Sequence, residues 1–159
     1  MRDSRIASKL YQGSLPPYVE ELHRARIHTI VLCARELQPD DWRLPGIEVL
    51  RCPFVDVAEP VGLSTLRMID QTSTAVAARV RAKQRTLVTC AAGLNRSGLV
   101  TALALTKLYG ISGHDAVKWV QRERPGALFN PVFAAILEQI PATVHAAAAS
   151  GTLGSNPPG

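Results

Sequence analysis

Between residues 86 and 109 the chain joins two segments that both demand burial. Thr86-Leu-Val-Thr-Cys90 is a charge-free run that reads as a β-strand, and Ser97–Tyr109 reads as a helix apolar nearly all the way round, with Gly110 placed to stop it. A helix with no polar face has to be covered, so it packs on a sheet inside the domain. The six residues between Cys90 and Ser97 form the turn from that strand into that helix.

The remaining segments alternate in the same manner. Lys9–Gln12 reads as a short edge strand, closed by Gly13 and the Pro16-Pro17 break, and Tyr18–Arg26 as a short helix. Ile27–Cys33 is a strand rich in β-branched residues, Gln38–Gly46 a polar loop, and Glu48–Phe54 a strand whose end is marked by Pro53. Ser64 can cap a long helix in which Leu66, Ile69, Ser73, Val76 and Val80 share one face. Two helices follow: His114–Arg124 after a Ser112 cap, and Pro131 to about His145, with Asn130 and Pro131 at the cap and first helical positions. Alternating strands and helices predict an α/β fold, a single domain with a central, mostly parallel sheet of four to five strands flanked by helices on both faces. The domain is expected to occupy residues 1–145. Residues 146–159 (AAAASGTLGSNPPG) lack bulky side chains and are expected to form a disordered tail.

Composition narrows the class. A chain of 159 residues with 47% apolar and 19% charged residues can bury a core, as soluble domains do. Its first residues carry charge with no apolar run behind them, and its most apolar run, Leu99–Leu105, is too short to cross a bilayer. A cytoplasmic protein without a membrane span is expected. Cys33, Cys52 and Cys90 are an odd set without C-x-x-C spacing, which indicates neither a disulfide framework nor a zinc site. No metal and no cofactor motif is evident. The net charge of +5 favours an anionic partner. The basic cluster Arg79, Arg81, Lys83 and Arg85 reads as charge complementing a helix C-terminus.

Val88-Thr-Cys-Ala-Ala-Gly-Leu-Asn-Arg-Ser-Gly98 carries the chemistry. A loop from strand to helix turns N–H groups inward, and the helix N-terminus adds partial positive charge, which together make a phosphate cradle. Ala91, Ala92, Gly93, Leu94 and Asn95 form its floor, with Gly93 allowing a tight closure. Arg96 supplies a planar fork for two phosphate oxygens. Donors of this kind favour a thiolate over a thiol, and a thiolate beneath a phosphate can attack phosphorus. Ser97 can donate a hydrogen bond to the sulfur of Cys90 and ease its departure.

Cys90-Ala-Ala-Gly-Leu-Asn-Arg96-Ser97 resembles the signature loop of the cysteine-dependent protein tyrosine phosphatase superfamily, in its compact dual-specificity branch. Lys9-Leu-Tyr-Gln-Gly-Ser-Leu15 looks like the N-terminal strand of that family. Pro53-Phe-Val-Asp56 looks like the segment bearing its general acid, and Arg122-Glu-Arg-Pro-Gly-Ala-Leu-Phe-Asn130 like the loop before its last helix. The resemblance spans roughly residues 8 to 140. It implies a phosphocysteine mechanism with Cys90 as nucleophile, Arg96 binding phosphate, Asp56 as general acid (Glu59 as its substitute) and Asn130 in support. It implies no metal or cofactor, and a monomer is expected. Two positions depart from the family. Thr89 stands where a histidine usually precedes the nucleophile, which implies slower turnover. Asn95 before the arginine is shared with RNA 5′-phosphatase relatives. Cys33, expected on a strand beside Cys90, is a candidate redox partner through a reversible disulfide.

A phosphorylated protein or small aryl phosphate is the leading substrate, because a small domain implies a shallow pocket and Ala91, Ala92 and Leu94 carry no charge for a polyanionic headgroup. RNA and inositide substrates are the alternatives. A non-catalytic phosphate-binding module and a sulfurtransferase are the rival classes; sulfurtransferase loops usually place fewer residues between Cys and Arg.

Overall fold

The computed structural model of the chain describes residues 3–143. Its elements, in chain order, are β1 (Ser4–Ala7), β2 (Leu10–Ser14), α1 (Val19–Arg24), β3 (Thr29–Ala34), β4 (Glu48–Phe54), α2 (Leu63–Arg81), β5 (Thr86–Cys90), α3 (Arg96–Tyr109), α4 (Gly113–Glu123) and α5 (Pro131–Glu138), with one 3-10 turn at Asp41–Arg43. The tail expected at 146–159 lies outside the described residues.

The apolar strand is central, as its composition requires. The sheet order is β1-β2-β5-β3-β4, so β5 has two strands on either side and is buried at all five positions. It runs parallel to β2 and β3, and β3 runs parallel to β4, while β1 pairs antiparallel with β2. α3 is buried from Arg96 to Thr106 and stops at Gly110, whose φ of 67° is the left-handed conformation that glycine adopts without strain.

The alternation of strand side chains produces two cores. Val31, Cys33, Val88 and Cys90 face a large core with Ile69 and Val76 of α2, Leu99 and Leu103 of α3, Val120 of α4, and Phe133 and Leu137 of α5. Ile30, Leu32 and Leu87 point the other way, against Leu22 of α1 and Leu44 and Ile47 of the loop after β3. Both faces are therefore covered. Three of the four cluster arginines and lysines serve the fold rather than a ligand: Arg79 pairs with Glu48, Arg81 donates to the Lys107 carbonyl, and Arg85 donates to the Ala25 carbonyl.

Several boundaries differ from the sequence reading. Lys9–Gln12 was expected at an edge, but β2 is interior because Ser4–Ala7 pairs outside it. β1 is short and charged, and tertiary contacts hold it: Ile6 is buried, and the Trp119 indole donates to the Ile6 carbonyl at 2.8 Å. α2 begins at Leu63 with Gly62 at its cap position, ahead of the expected cap at Ser64. α5 ends at Glu138 rather than near His145, because Pro141 disfavours helical backbone just before itself and cannot continue the ladder. The Ser112 and Asn130 caps are both formed, to Asp115 N–H and to the N–H groups of Val132 and Phe133.

Candidate active site

Parallel pairing aims the C-terminal ends of β2, β5, β3 and β4 in one direction, and the loops that follow them meet there. Ser14 ends β2, Cys90 ends β5, Glu36 lies just past β3 and Asp56 just past β4. Cys90, Glu36 and Asp56 thus come from strand ends or from the loops next to them.

The loop 90–96 is held from outside by its carbonyls. Gln12, fully buried in β2, donates its amide to the carbonyls of Gly93 at 3.1 Å and Leu94 at 3.4 Å. Arg124, at the end of α4, donates to the Gly93 carbonyl at 2.5 Å and the Ala92 carbonyl at 3.5 Å. Leu128 N–H takes a further bond to the Leu94 carbonyl. In a planar trans peptide the N–H points opposite its C=O. Carbonyls drawn outward at residues 92 to 94 thus turn the N–H groups of Gly93, Leu94 and Asn95 toward the concave side. Gly93 has φ of 69°, and a Cβ there would lie 2.6 Å from the backbone nitrogen of Ser14. The loop closes onto β2 only because that side chain is absent.

Cys90 and Arg96 are nearly sealed, at 3% and 6% exposure. The Sγ of Cys90 lies 3.2 Å from the hydroxyl of Ser97, in the first turn of α3. Arg96 is gripped end-on: its two terminal nitrogens each lie 2.7 Å from a different oxygen of Glu36, and Nη1 also donates to the Phe54 carbonyl at 3.1 Å. These hydrogen bonds from the guanidinium hold the Glu36 carboxyl down to about 2. The Nε of Arg96 is buried and has no partner, leaving one charged donor for an oxygen that is not the protein's own.

Asp56 joins the loop through two amides. Asn95 Nδ2 donates to its Oδ2 at 3.0 Å, and Asn130 Nδ2 donates to its Oδ1 at 2.8 Å. Glu59 is exposed and lines a cleft of about 230 Å³ with Arg35, Phe54 and Phe133. Thr89 is buried and gives its hydroxyl to the Val31 carbonyl at 2.7 Å, stitching β5 to β3. Cys33 follows Leu32, the last residue of β3 paired with β5 (Leu32 with Thr89), and Cys90 follows Thr89. Cys33, Cys52 and Cys90 are all buried free thiols. Burial pushes the Cys33 thiol up, and its hydrogen bond with Cys52 adds to the effect.

The structure thus brings together Cys90, Ser97, Arg96, the loop residues, Asp56 and Asn130. Sequence reasoning missed Glu36, Gln12 and Arg124, which hold the cradle and its arginine. A charged residue just past a parallel strand, and a glutamine inside one, were the available signals. Among the described residues no cluster of three His, Cys, Asp or Glu is arranged to hold a metal ion, and no helix is long and apolar enough to cross a membrane.

A thiol at the end of a central parallel strand, beneath a loop of inward N–H groups and a buried arginine, defines a cysteine-dependent phosphatase. No protein-family model matches the chain. It is 31% identical over 121 residues to the protein tyrosine phosphatase PRL-1 of Leishmania major, the match covering 73% of this chain and 69% of that protein. It is 29% identical over 125 residues to human dual specificity protein phosphatase 14, covering 77% of this chain and 60% of that longer protein. Among solved structures, human DUSP28 superimposes with a TM-score of 0.72 at 30% identity, over 87% of this chain and 92% of that one. A mouse dual specificity phosphatase complexed with zinc tungstate does so with a TM-score of 0.76 at 33% identity, over 92% and 90%. The chain belongs to the dual-specificity phosphatases of the protein tyrosine phosphatase superfamily.

Proposed function

We propose that this phosphatase hydrolyses phosphotyrosine, and phosphoserine or phosphothreonine, in proteins, with Cys90 as nucleophile and Asp56 as general acid and base. The observation that carries the reading is the cradle itself: a nearly sealed Cys90 and an Arg96 whose Nε is unpartnered bracket a loop with three inward-turned N–H groups, and a carboxylate is tied to that loop through Asn95. A phosphate seated there accepts from the loop amides and from Arg96. The thiolate of Cys90 attacks phosphorus as the P–O bond to the substrate breaks, and Asp56 gives its proton to the departing oxygen. The loop donors stabilise the charge on the equatorial oxygens. In the second half, Asp56 takes a proton from the attacking water, the S–P bond breaks, and Ser97 donates to the departing sulfur. Inorganic phosphate is released and Cys90 regenerated.

The substrate class follows from the rim. The loop side chains at 91, 92 and 94 are apolar, and Val55, Val57 and Phe129, which flank Asp56 and Asn130 in sequence, are exposed. Such a rim suits an aryl or peptide phosphate better than a headgroup bearing several phosphates. Asn95, which kept an RNA 5′-phosphate in view, is occupied by contacts within the protein. Residues 1–145 are read as the catalytic domain, acting as a monomer in the cytoplasm.

The test is hydrolysis of p-nitrophenyl phosphate and of phosphotyrosine and phosphothreonine peptides in EDTA and reducing agent, comparing wild type with Cys90→Ser. Activity that survives EDTA and vanishes in the variant supports the reading. A triphosphate-ended RNA turned over far faster than any phosphopeptide would move the substrate to RNA. No turnover of any phosphate ester would leave only a binding module.

A further inference from the structure

We propose that Asn95 is the positioning residue for the proton-transferring carboxylate, tying the phosphate loop to the segment that bears Asp56; this rests on the reading of Asp56 as the acid.

Asn95 occupies the cap position of α3, where an asparagine side chain ordinarily accepts a hydrogen bond from the helix's own N–H groups. It makes no such bond. Its side chain, 2% exposed, instead bridges two other segments. Oδ1 accepts the backbone N–H of Asn130 at 3.0 Å, and Nδ2 donates to Asp56 Oδ2 at 3.0 Å. The first bond fixes the orientation of the second: with an N–H donor facing Oδ1, the amide NH₂ has to face the carboxylate. A serine or threonine has one oxygen and cannot span both partners.

Asn130 completes the arrangement. Its Oδ1 caps α5 through Val132 and Phe133, and its Nδ2 donates to Asp56 Oδ1 at 2.8 Å and to the Val57 carbonyl at 3.1 Å. Each Asp56 oxygen therefore receives one amide donor, one from the start of α3 and one from the start of α5. Asp56 is itself exposed, in a stretch (55–60) where every residue is exposed. Two donors from buried helix ends hold it at the rim of the cradle, and each carboxylate oxygen keeps a second lone pair for the transferred proton. The same amide of Asn95 sits within the phosphate loop, so the acid is registered directly to the anion site.

A general acid matters most when the leaving group is poor. Phenol, with a pKa of about 10 like that of tyrosine, needs the proton; p-nitrophenolate leaves readily without it. The experiment compares single-turnover rates for phenyl phosphate and p-nitrophenyl phosphate in wild type, Asp56→Asn, Asn95→Ala and Asn95→Asp, each checked for folding by circular dichroism. Asn95→Asp keeps the acceptor for Asn130 N–H and sets a carboxylate oxygen in place of the donor to Asp56, so it breaks the same bond, with a like charge added, where Asn95→Ala fails to fold. Taking the ratio of the two substrates cancels any effect of the substitutions on phosphate binding. Asp56→Asn and both Asn95 variants are expected to slow phenyl phosphate by about 10²-fold more than p-nitrophenyl phosphate. Adding Asn95→Asp to Asp56→Asn is expected to leave the ratio unchanged, because the group being positioned is gone. Asn95 variants that slow both substrates equally, while Asp56→Asn changes the ratio, would overturn the proposal and leave the acid assignment standing. A ratio unaffected by Asp56→Asn would overturn both.

Discussion

Replacing Glu36 with glutamine probes how the phosphate-binding arginine is held when no phosphate is present. The Arg96 side chain is 7% exposed and Glu36 54% exposed, and the pair shares two contacts of 2.7 Å. The Glu36→Gln side chain would keep one acceptor but lose the charge and turn an NH₂ toward the guanidinium. Holding the Glu36 carboxyl at about 2 rather than 4.5 corresponds at face value to about 3 kcal/mol. Solvent screening of a half-exposed carboxylate reduces that to about 1–2 kcal/mol. In a domain of this size a loss of that order lowers the melting temperature by about 3–8 °C. The assay is thermal unfolding followed by circular dichroism in phosphate-free buffer at pH 7. Because the folded-state pKa is depressed, the contribution is complete above about 4.5 and disappears as pH falls toward about 2. The gap between wild type and variant is thus expected to be constant from pH 7 to pH 6 and to close in acid. Inorganic phosphate, which can take up the freed donors of Arg96, is expected to stabilise the variant more than the wild type. A variant that melts within about 1 °C of wild type at pH 7, or a gap that widens in acid, would refute the reasoning.

Gly93→Ala places a side chain at φ of 69° and within 2.6 Å of the Ser14 nitrogen; a shifted loop is expected to lower p-nitrophenyl phosphate turnover by about 10²-fold, and a rate near wild type would show that the loop tolerates a Cβ. Thr89→His is expected to raise turnover per folded molecule by about tenfold, since the Thr89 hydroxyl is committed to Val31 and gives the loop nothing; unchanged turnover would remove the significance given to this position. Peroxide is expected to convert Cys90 to a sulfenic acid that Cys33, on the strand paired with β5, attacks with loss of water, paired strands lying about 4.8 Å apart, within the span of a disulfide. In Cys33→Ser excess peroxide carries the unprotected sulfenic acid on to sulfinic acid, which thiols do not reduce, so dithiothreitol should restore the wild type and Cys52→Ser but not Cys33→Ser, and mass spectrometry that finds only a Cys33–Cys52 bridge would reassign the pair.

Features that depend on residues within a turn or a strand of one another were legible in the order of the amino acids alone. Thr86–Cys90 and Glu48–Phe54 are found at the boundaries their patterns indicate, the caps at Ser112 and Asn130 form, Gly110 ends α3, and the strand-to-helix turn around Cys90 is in place. These follow from side-chain period, cap chemistry and glycine's backbone freedom, all of which act locally. Pro141 was an equally local signal and, once weighed, accounts for the early end of α5. Other features had no local source. Glu36 meets Arg96 across 60 residues, Gln12 meets Gly93 across 81, Arg124 meets Gly93 across 31, and Asp56 meets Asn130 across 74. β1 carries almost no strand signal and exists because β2 offers it a partner and Trp119 a donor. The strand order β1-β2-β5-β3-β4 decides these contacts, because it inserts the last strand between two early ones and gathers four strand ends at one edge of the sheet. The residues that do the chemistry are legible in sequence because their types are rare and closely spaced. The residues that aim them are ordinary, and only the path of the chain through space brings them to the site.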